Sequence, residues 1–391
     1  MRRIMFSIFC LVICSGLSAL GIKEAKIETA EETVKDDPLR IRACEIASLL
    51  DDRLLAAQVL ISGIDGKGEL TPNMNDLLIQ YPAGGIMLFR YNLNSTNDEI
   101  RNLVTQTVLL IQEQSGIPPF MAVDHEGGTV YRFIDRYAYL PNASDYWELF
   151  QKEGKQQAIA QIEQDSYNSA QKVIELGINL NFAPVAEHLN DDNRGFMESR
   201  SYGPDLSFTA DAVRAFVSGM EKAGIMCVLK HFPGSAGEDP HFTSSALKGD
   251  RPSLDSLVFP FASAIENGAR AVMASHTLVP AVDDKIASLS SVIMRNWLRE
   301  DLGFNGIIIC DDFSMAAAKS HSGSESLNSD EAAVLSVAAG ADMVLVWPRD
   351  LKRTHEAFIS ALDDGSLSRE RLREAAGRVI YEKLRMGLIN E

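Results

Sequence analysis

Cysteine is scarce in this chain, five in 391 residues, and two of the five, Cys10 and Cys14, fall in an apolar stretch at the very start. Only Cys44, Cys227 and Cys310 stand beyond it, and the last two sit in apolar runs that read as buried strands. Three thiols placed in this way imply no disulfide framework, even in an oxidising compartment. Positive charge is short as well: 37 Lys and Arg against 54 Asp and Glu leave a net charge of -17. That balance opposes the polyanionic backbone of nucleic acid, which is therefore not expected as a partner. No His-x-His pair follows the first apolar run, where a metal-dependent hydrolase on a barrel would carry one; the chain has "SGIDG" there. The same place lacks the Gly-rich phosphate turn of a dinucleotide-binding open sheet. No fixed-period repeat or low-complexity tract marks a solenoid. Neither a metal nor an organic cofactor is implied.

What is present points to an exported globular protein. Apolar residues make up 46% of the chain, enough for an extensive core. The opening "MRRIMFSIFCLVICSGLSALG" pairs two arginines with an apolar run and then small residues, the pattern of an export signal over residues 1–21. The run is short for a spanning helix. Cys10 or Cys14 could instead carry a lipid after signal removal, so the expected location is periplasmic or extracellular, either free or lipid-anchored. Residues 22–44 are polar and are expected to form a linker. From 45 to 391 short apolar runs alternate with stretches of helical period, several of them ending in glycine. The candidate strands are 56–63, 84–89, 119–123, 178–183, 225–229, 269–275, 306–310 and 341–346. Eight strand–helix units with near-continuous apolar strands predict a single-domain α/β fold, a (β/α)8 TIM-type barrel.

In such a barrel the residues just past the strand ends line one mouth. Here they are Arg90, Asp124, Lys230 with His231, His276, Asp311 and Trp347. A single Asp or His at a strand end reads as a helix cap, and capping remains the alternative for Asp311 and Asp312. So many polar and aromatic groups at one mouth predict a site.

Four motifs, "VDHEGGTVYRF", "KHFPG", "ASHTLVPAVD" and "CDDFSM", occur in the order and barrel positions of glycoside hydrolase family 3. From about residue 45 to the end the chain resembles the barrel-only members of that family, which are β-N-acetylhexosaminidases. The resemblance implies that Asp311 is the nucleophile, with Asp312 pointing away or capping the next helix. It also implies that the loop after "KHFPG" carries an Asp-x-His dyad: Asp239, Pro240 and His241. His241 would be the general acid/base and Asp239 its orienting partner, with Pro240 restricting Asp239 to extended conformations. Asp124, Arg132, Arg200, Lys230 and His231 would bind the sugar, with Arg194 a rival for the role of Arg200, while His276 would order its loop.

The chain departs from the family pattern in places. Glu187 stands where an aspartate is more usual, and Ser235-Ala236 where His-Gly is common. The activity implied is retaining, exo-acting removal of terminal β-linked N-acetylglucosamine from peptidoglycan-derived or chitin-like fragments by a monomer. A β-glucosidase-type or phosphorolytic activity is the alternative within the family. From other classes the rivals are a Schiff-base lyase built on Lys230 and a non-catalytic carbohydrate-binding protein. No second domain is expected to lend the acid.

Overall fold

The computed structural model describes residues 37–237, 245–315, 318 and 327–389. The export signal, Cys10 and Cys14 lie outside the described residues, and so does the dyad of Asp239 and His241. Eight parallel strands close into one barrel in sequence order. They are β1 (Leu60–Gly63), β2 (Gly85–Leu88), β3 (Phe120–Val123), β4 (Leu180–Asn181), β5 (Met226–Phe232), β6 (Ala271–Ala274), β7 (Ile307–Cys310) and β8 (Met343–Val346). Each expected strand coincides with an observed one, with two informative differences. Residues 56–58 belong to a helix, Asp52–Gln58, because the Asp51 side chain accepts from Leu54 N and starts a turn there. β5 runs on past its apolar stretch through Lys230 and His231, because backbone pairing continues: Lys230 N donates to Pro184 O at 3.1 Å and Ala186 N to Lys230 O at 2.7 Å.

Strand side chains alternate between two apolar layers. Ile61, Met87, Phe120, Leu180, Met226, Met273, Ile307 and Met343 fill the barrel interior. Their neighbours Leu60, Ile86, Met121, Val272, Ile308 and Val344 pack outward under the helices. Cys227 and Cys310 are buried free thiols and Cys44 an exposed one.

The expected linker over 22–44 is corrected at its end. Pro38–Leu49 is a helix, with Pro38 in its first turn and the Asp37 side chain accepting from Leu39 N at 2.9 Å. Its polar composition conceals a small-residue stripe: Ala43 and Ala47, four apart, bury against Ile380 and Leu384 of the closing helix Arg369–Arg385. Tyr381 Oη donates to Asp37 Oδ2 at 2.6 Å, and Arg40 lies over the Tyr381 ring.

The closing helix also plugs the bottom of the barrel, where Val379 joins the interior layer. Lys383 beside it is fully buried and donates to Gln58 Oε1 at 2.8 Å, with its ammonium 5.3 Å from the Phe120 ring centre. Burial lowers this amine from 10.5 to about 7. The folded chain therefore binds fewer protons than the unfolded one between those values, so the penalty is complete below about pH 7 and fades as pH rises. Replacing Lys383 with Met is expected to flatten this rise, at most about 1.4 kcal/mol per pH unit, and to raise stability at pH 6. Urea unfolding of both proteins across the pH range checks it; an unchanged slope would refute a buried neutral amine.

Candidate active site

β3 ends at Val123, and the next residues deliver a charged pair. Period-two geometry puts Asp124 and Glu126 on one side and turns His125 underneath. His125 is locked there: its backbone N donates to Asn181 Oδ1 at 3.0 Å, Asn181 Nδ2 returns a bond to its carbonyl at 2.9 Å, and its ring meets Ala138 O. Burial pushes the imidazole down to about 4, so it stays neutral.

Three cations converge on the two carboxylates. Lys230 Nζ sits 2.5 Å from both Asp124 Oδ1 and Glu126 Oε1. Arg132 reaches Asp124 Oδ2 at 2.7 Å, and Arg200 grips both oxygens of Glu126 at 2.8 Å. Burial alone would raise the carboxyl of Asp124, but Lys230 and Arg132 outweigh it, and it lies below its ordinary value. Glu126 obeys the same logic: burial opposes ionisation, and Lys230 and Arg200 prevail. Glu126 is the member that sequence reasoning missed. Its signal was present in "VDHEGG", an acid two residues after Asp124 at a strand end.

Lys230 and His231 are consecutive, yet both face the cavity. A regular strand would send one of them outward; here the alternation breaks, where the register of β5 against β6 shifts between Leu229 and Phe232. His231 Nδ1 meets Glu187 Oε1 at 2.7 Å, and Ser235 N donates to Glu187 Oε2 at 2.6 Å.

Across the mouth, Asp311 comes directly after β7. Its Oδ1 accepts from Asp312 N at 2.8 Å, and Oδ2 has no hydrogen bond among the described residues. Asp312 turns back to accept from Ser314 N at 2.8 Å and from the Trp347 indole, so it stays a structural neighbour on the cavity wall. His276 is buried between Ser288 Oγ, at 2.7 Å from Nδ1, and the Asp312 carbonyl, at 3.1 Å from Nε2. Burial lowers its pKa, and it does not line the cavity.

The β8–β2 flank is aromatic. Phe89 stacks on Trp347 with ring centres 4.8 Å apart, and Tyr91 continues the stack at 6.0 Å. Gly63 between them makes this possible, since a Cβ there would lie 2.9 Å from the Phe89 ring and 3.0 Å from Pro348. One strand-end expectation is corrected here, and the two rival arginines are told apart. Arg90 is exposed outside the cavity, because it opens the short turn Arg90–Leu93 and leaves Phe89 on the wall. Arg194 is half-exposed and paired loosely with Asp191 at 3.6 Å, so Arg200 is the arginine that reaches the site.

The resulting cavity, about 260 Å³, joins Asp124, Arg132, Arg200, Lys230 and His231 on one flank to Asp311 and Trp347 on the other. No group of three or more His, Cys, Asp or Glu side chains among the described residues is arranged to hold a metal. Such a pocket can grip hydroxyls with charge-assisted hydrogen bonds and set a carboxylate against an electrophilic carbon.

Breaking a buried pair strands its partner's charge. Glu126→Gln should therefore cost about 3–5 kcal/mol in urea unfolding, because Arg200 and Lys230 lose their shared anion. A loss below about 1 kcal/mol would mean that the pair behaves as a solvent-exposed one.

Known proteins share this architecture. Residues 53–381 match the glycosyl hydrolase family 3 N terminal domain. A beta-hexosaminidase of Stenotrophomonas maltophilia is 35% identical over 271 residues, 68% of this chain and 77% of that protein. One from Neisseria gonorrhoeae is 33% identical over 286 residues, covering 72% and 75%. Among solved structures, a family 3 beta-N-acetylglucosaminidase from Paenibacillus superposes with a TM-score of 0.79 at 29% identity over 88% of this chain, which spans 64% of that protein's length. NagZ from Neisseria gonorrhoeae, solved with N-trifluoroacetyl-D-glucosamine, gives 0.68 at 28% identity over 83% and 89% of the two chains. With the domain match covering most of its barrel, this chain belongs to glycosyl hydrolase family 3.

Proposed function

We propose that the protein is a retaining, exo-acting β-N-acetylhexosaminidase that removes terminal β-linked N-acetylglucosamine. The observation that carries the reading is the cavity itself: a carboxylate, Asp311, lies across from a cluster of hydroxyl-gripping charges in a pocket of about 260 Å³. The choice of sugar rests on the similar proteins, which are named beta-hexosaminidase and beta-N-acetylglucosaminidase.

In this reading Asp124, Arg132, Lys230, His231 and Arg200 hold the terminal sugar by its hydroxyls. Asp311 attacks the anomeric carbon as the glycosidic C–O bond breaks, and His241 gives a proton to the departing oxygen. The product is an ester between Asp311 and the sugar. His241, now neutral, takes a proton from water as that water attacks the same carbon, and Asp311 leaves as a carboxylate. Asp239 supports the imidazolium in the first step. Configuration is retained because the carbon is inverted twice.

The opening apolar run supports export, and the anionic balance keeps the chain away from nucleic acid, so peptidoglycan-derived or chitin-like fragments are the natural substrates proposed. A lipid on Cys10 or Cys14 would tether the enzyme, and it acts as a monomer.

A panel of aryl β-glycosides tests the sugar assignment. Preference for the N-acetylglucosaminide is expected, and preference for the glucoside would favour a β-glucosidase instead. A fluorinated sugar trap should label Asp311, and Asp311→Ala should abolish labelling; label on Asp312 or Lys230 would overturn the nucleophile.

The acid/base assignment predicts a selective defect. His241→Ala should lose far more rate on substrates with poor leaving groups than on activated aryl glycosides, and azide should partly rescue the second step. Uniform loss without azide rescue would make His241 a binding residue.

A further inference from the structure

We propose that Glu187 is a positioning residue: it holds His231 with its hydrogen on Nδ1, so that Nε2 is the nitrogen offered to the sugar. This deepens the proposed function and rests on it for the identity of the ligand, a pyranose hydroxyl.

Glu187 is 3% exposed and lies just beyond β4, against the bulged end of β5. Its carboxylate accepts throughout. Oε1 takes His231 Nδ1 at 2.7 Å, His231 N at 3.2 Å and Ser235 Oγ at 3.2 Å, while Oε2 takes Ser235 N at 2.6 Å. Two of these donors are backbone amides, so the carboxylate is fixed before any substrate arrives. Among the described residues His231 is its one titratable partner, with no Lys or Arg within ion-pairing distance. An ionised carboxylate cannot donate, so a contact of 2.7 Å requires the hydrogen on Nδ1. The carboxylate does stay ionised: burial would raise its pKa, but the bonds from His231 and Ser235 bring it below the ordinary value.

The consequence is chemical. With Nδ1 occupied, the neutral ring keeps its lone pair on Nε2, and His231 lines the cavity beside Lys230. Lys230 only donates; His231 held in this tautomer accepts. Side by side they can read one hydroxyl completely, Nζ giving a hydrogen to its oxygen while Nε2 takes its proton in a hydrogen bond. A site built in this way discriminates against a sugar that lacks the hydroxyl, because His231 Nε2 is then left without a donor while Lys230 keeps only its bonds to Asp124 and Glu126. Without Glu187 the imidazole could place its hydrogen on Nε2, and two donors would face the same oxygen.

The test reads the tautomer directly. In the full-length protein with ¹⁵N-labelled histidine, NMR should show Nδ1 as the protonated nitrogen of neutral His231. Glu187→Ala should mix the tautomers, and Glu187→Asp should retain the parent form in part. Kinetically, Glu187→Ala should raise KM about tenfold, the equivalent of one lost hydrogen bond, with a smaller effect on kcat. The double variant Glu187→Ala/His231→Ala should be no worse than His231→Ala alone. Glu187→Leu, which nearly keeps the side-chain volume and offers no acceptor, serves should the alanine variant fail to fold. A parent ring protonated on Nε2, or additive losses in the double variant, would overturn the proposal. A parent inactive on every glycoside would end the hydrolase reading, and the tautomer measurement would still decide the role of Glu187.

Discussion

The site depends on one arrangement: a largely buried cluster in which Lys230 bridges Asp124 and Glu126 while Arg132 and Arg200 close the two ends. Each charge would be costly alone in a low-dielectric environment, and each is tolerable because its neighbours have the opposite sign. The cluster joins segments far apart in sequence. Asp124 and Glu126 come just after β3, Arg200 comes from the loop after β4, and Lys230 lies within β5. Their mutual attraction therefore fixes the relative positions of three strand ends at the barrel mouth. It also leaves an excess of one cation over the carboxylates, suited to groups with lone pairs.

The other half of the mouth is organised by shape. A residue without a side chain ends β1, and the rings from β2 and β8 close over it. The indole nitrogen of Trp347 is then held by Asp312, which ties the aromatic flank to the strand end that carries Asp311. One flank binds through charge and the other through apolar surface, a division suited to a pyranose with hydroxyls at its rim and C–H groups on its faces. The carboxylate assigned as nucleophile belongs to the aromatic flank and faces the charges across the cavity.

Two positions that the sequence reading set apart from the family pattern meet in space. Glu187 and Ser235, the two positions set apart by the resemblance, are in contact, and the same carboxylate holds His231. Along the chain 48 residues separate them, and they look unrelated.

The barrel was legible in the sequence because its strands are buried on both sides and so appear as apolar runs, eight of them, each succeeded by a helical period. The positions of Asp124, Lys230, His231 and Asp311 were legible for a related reason, since a polar residue that ends such a run must stand at a strand end. The helix Pro38–Leu49 was not, because its buried face consists of alanines whose weight in composition is small. Nor was the inward turn of Lys230 and His231 together, which falls where the register between neighbouring strands shifts. Phe89 over Arg90 and the bond from Glu187 to His231 were decided by tertiary structure alone, which also set aside Arg194, the rival to Arg200. Composition and periodicity specify which residues must be buried; which polar groups meet across a barrel mouth depends on the packing of strands that the sequence keeps apart.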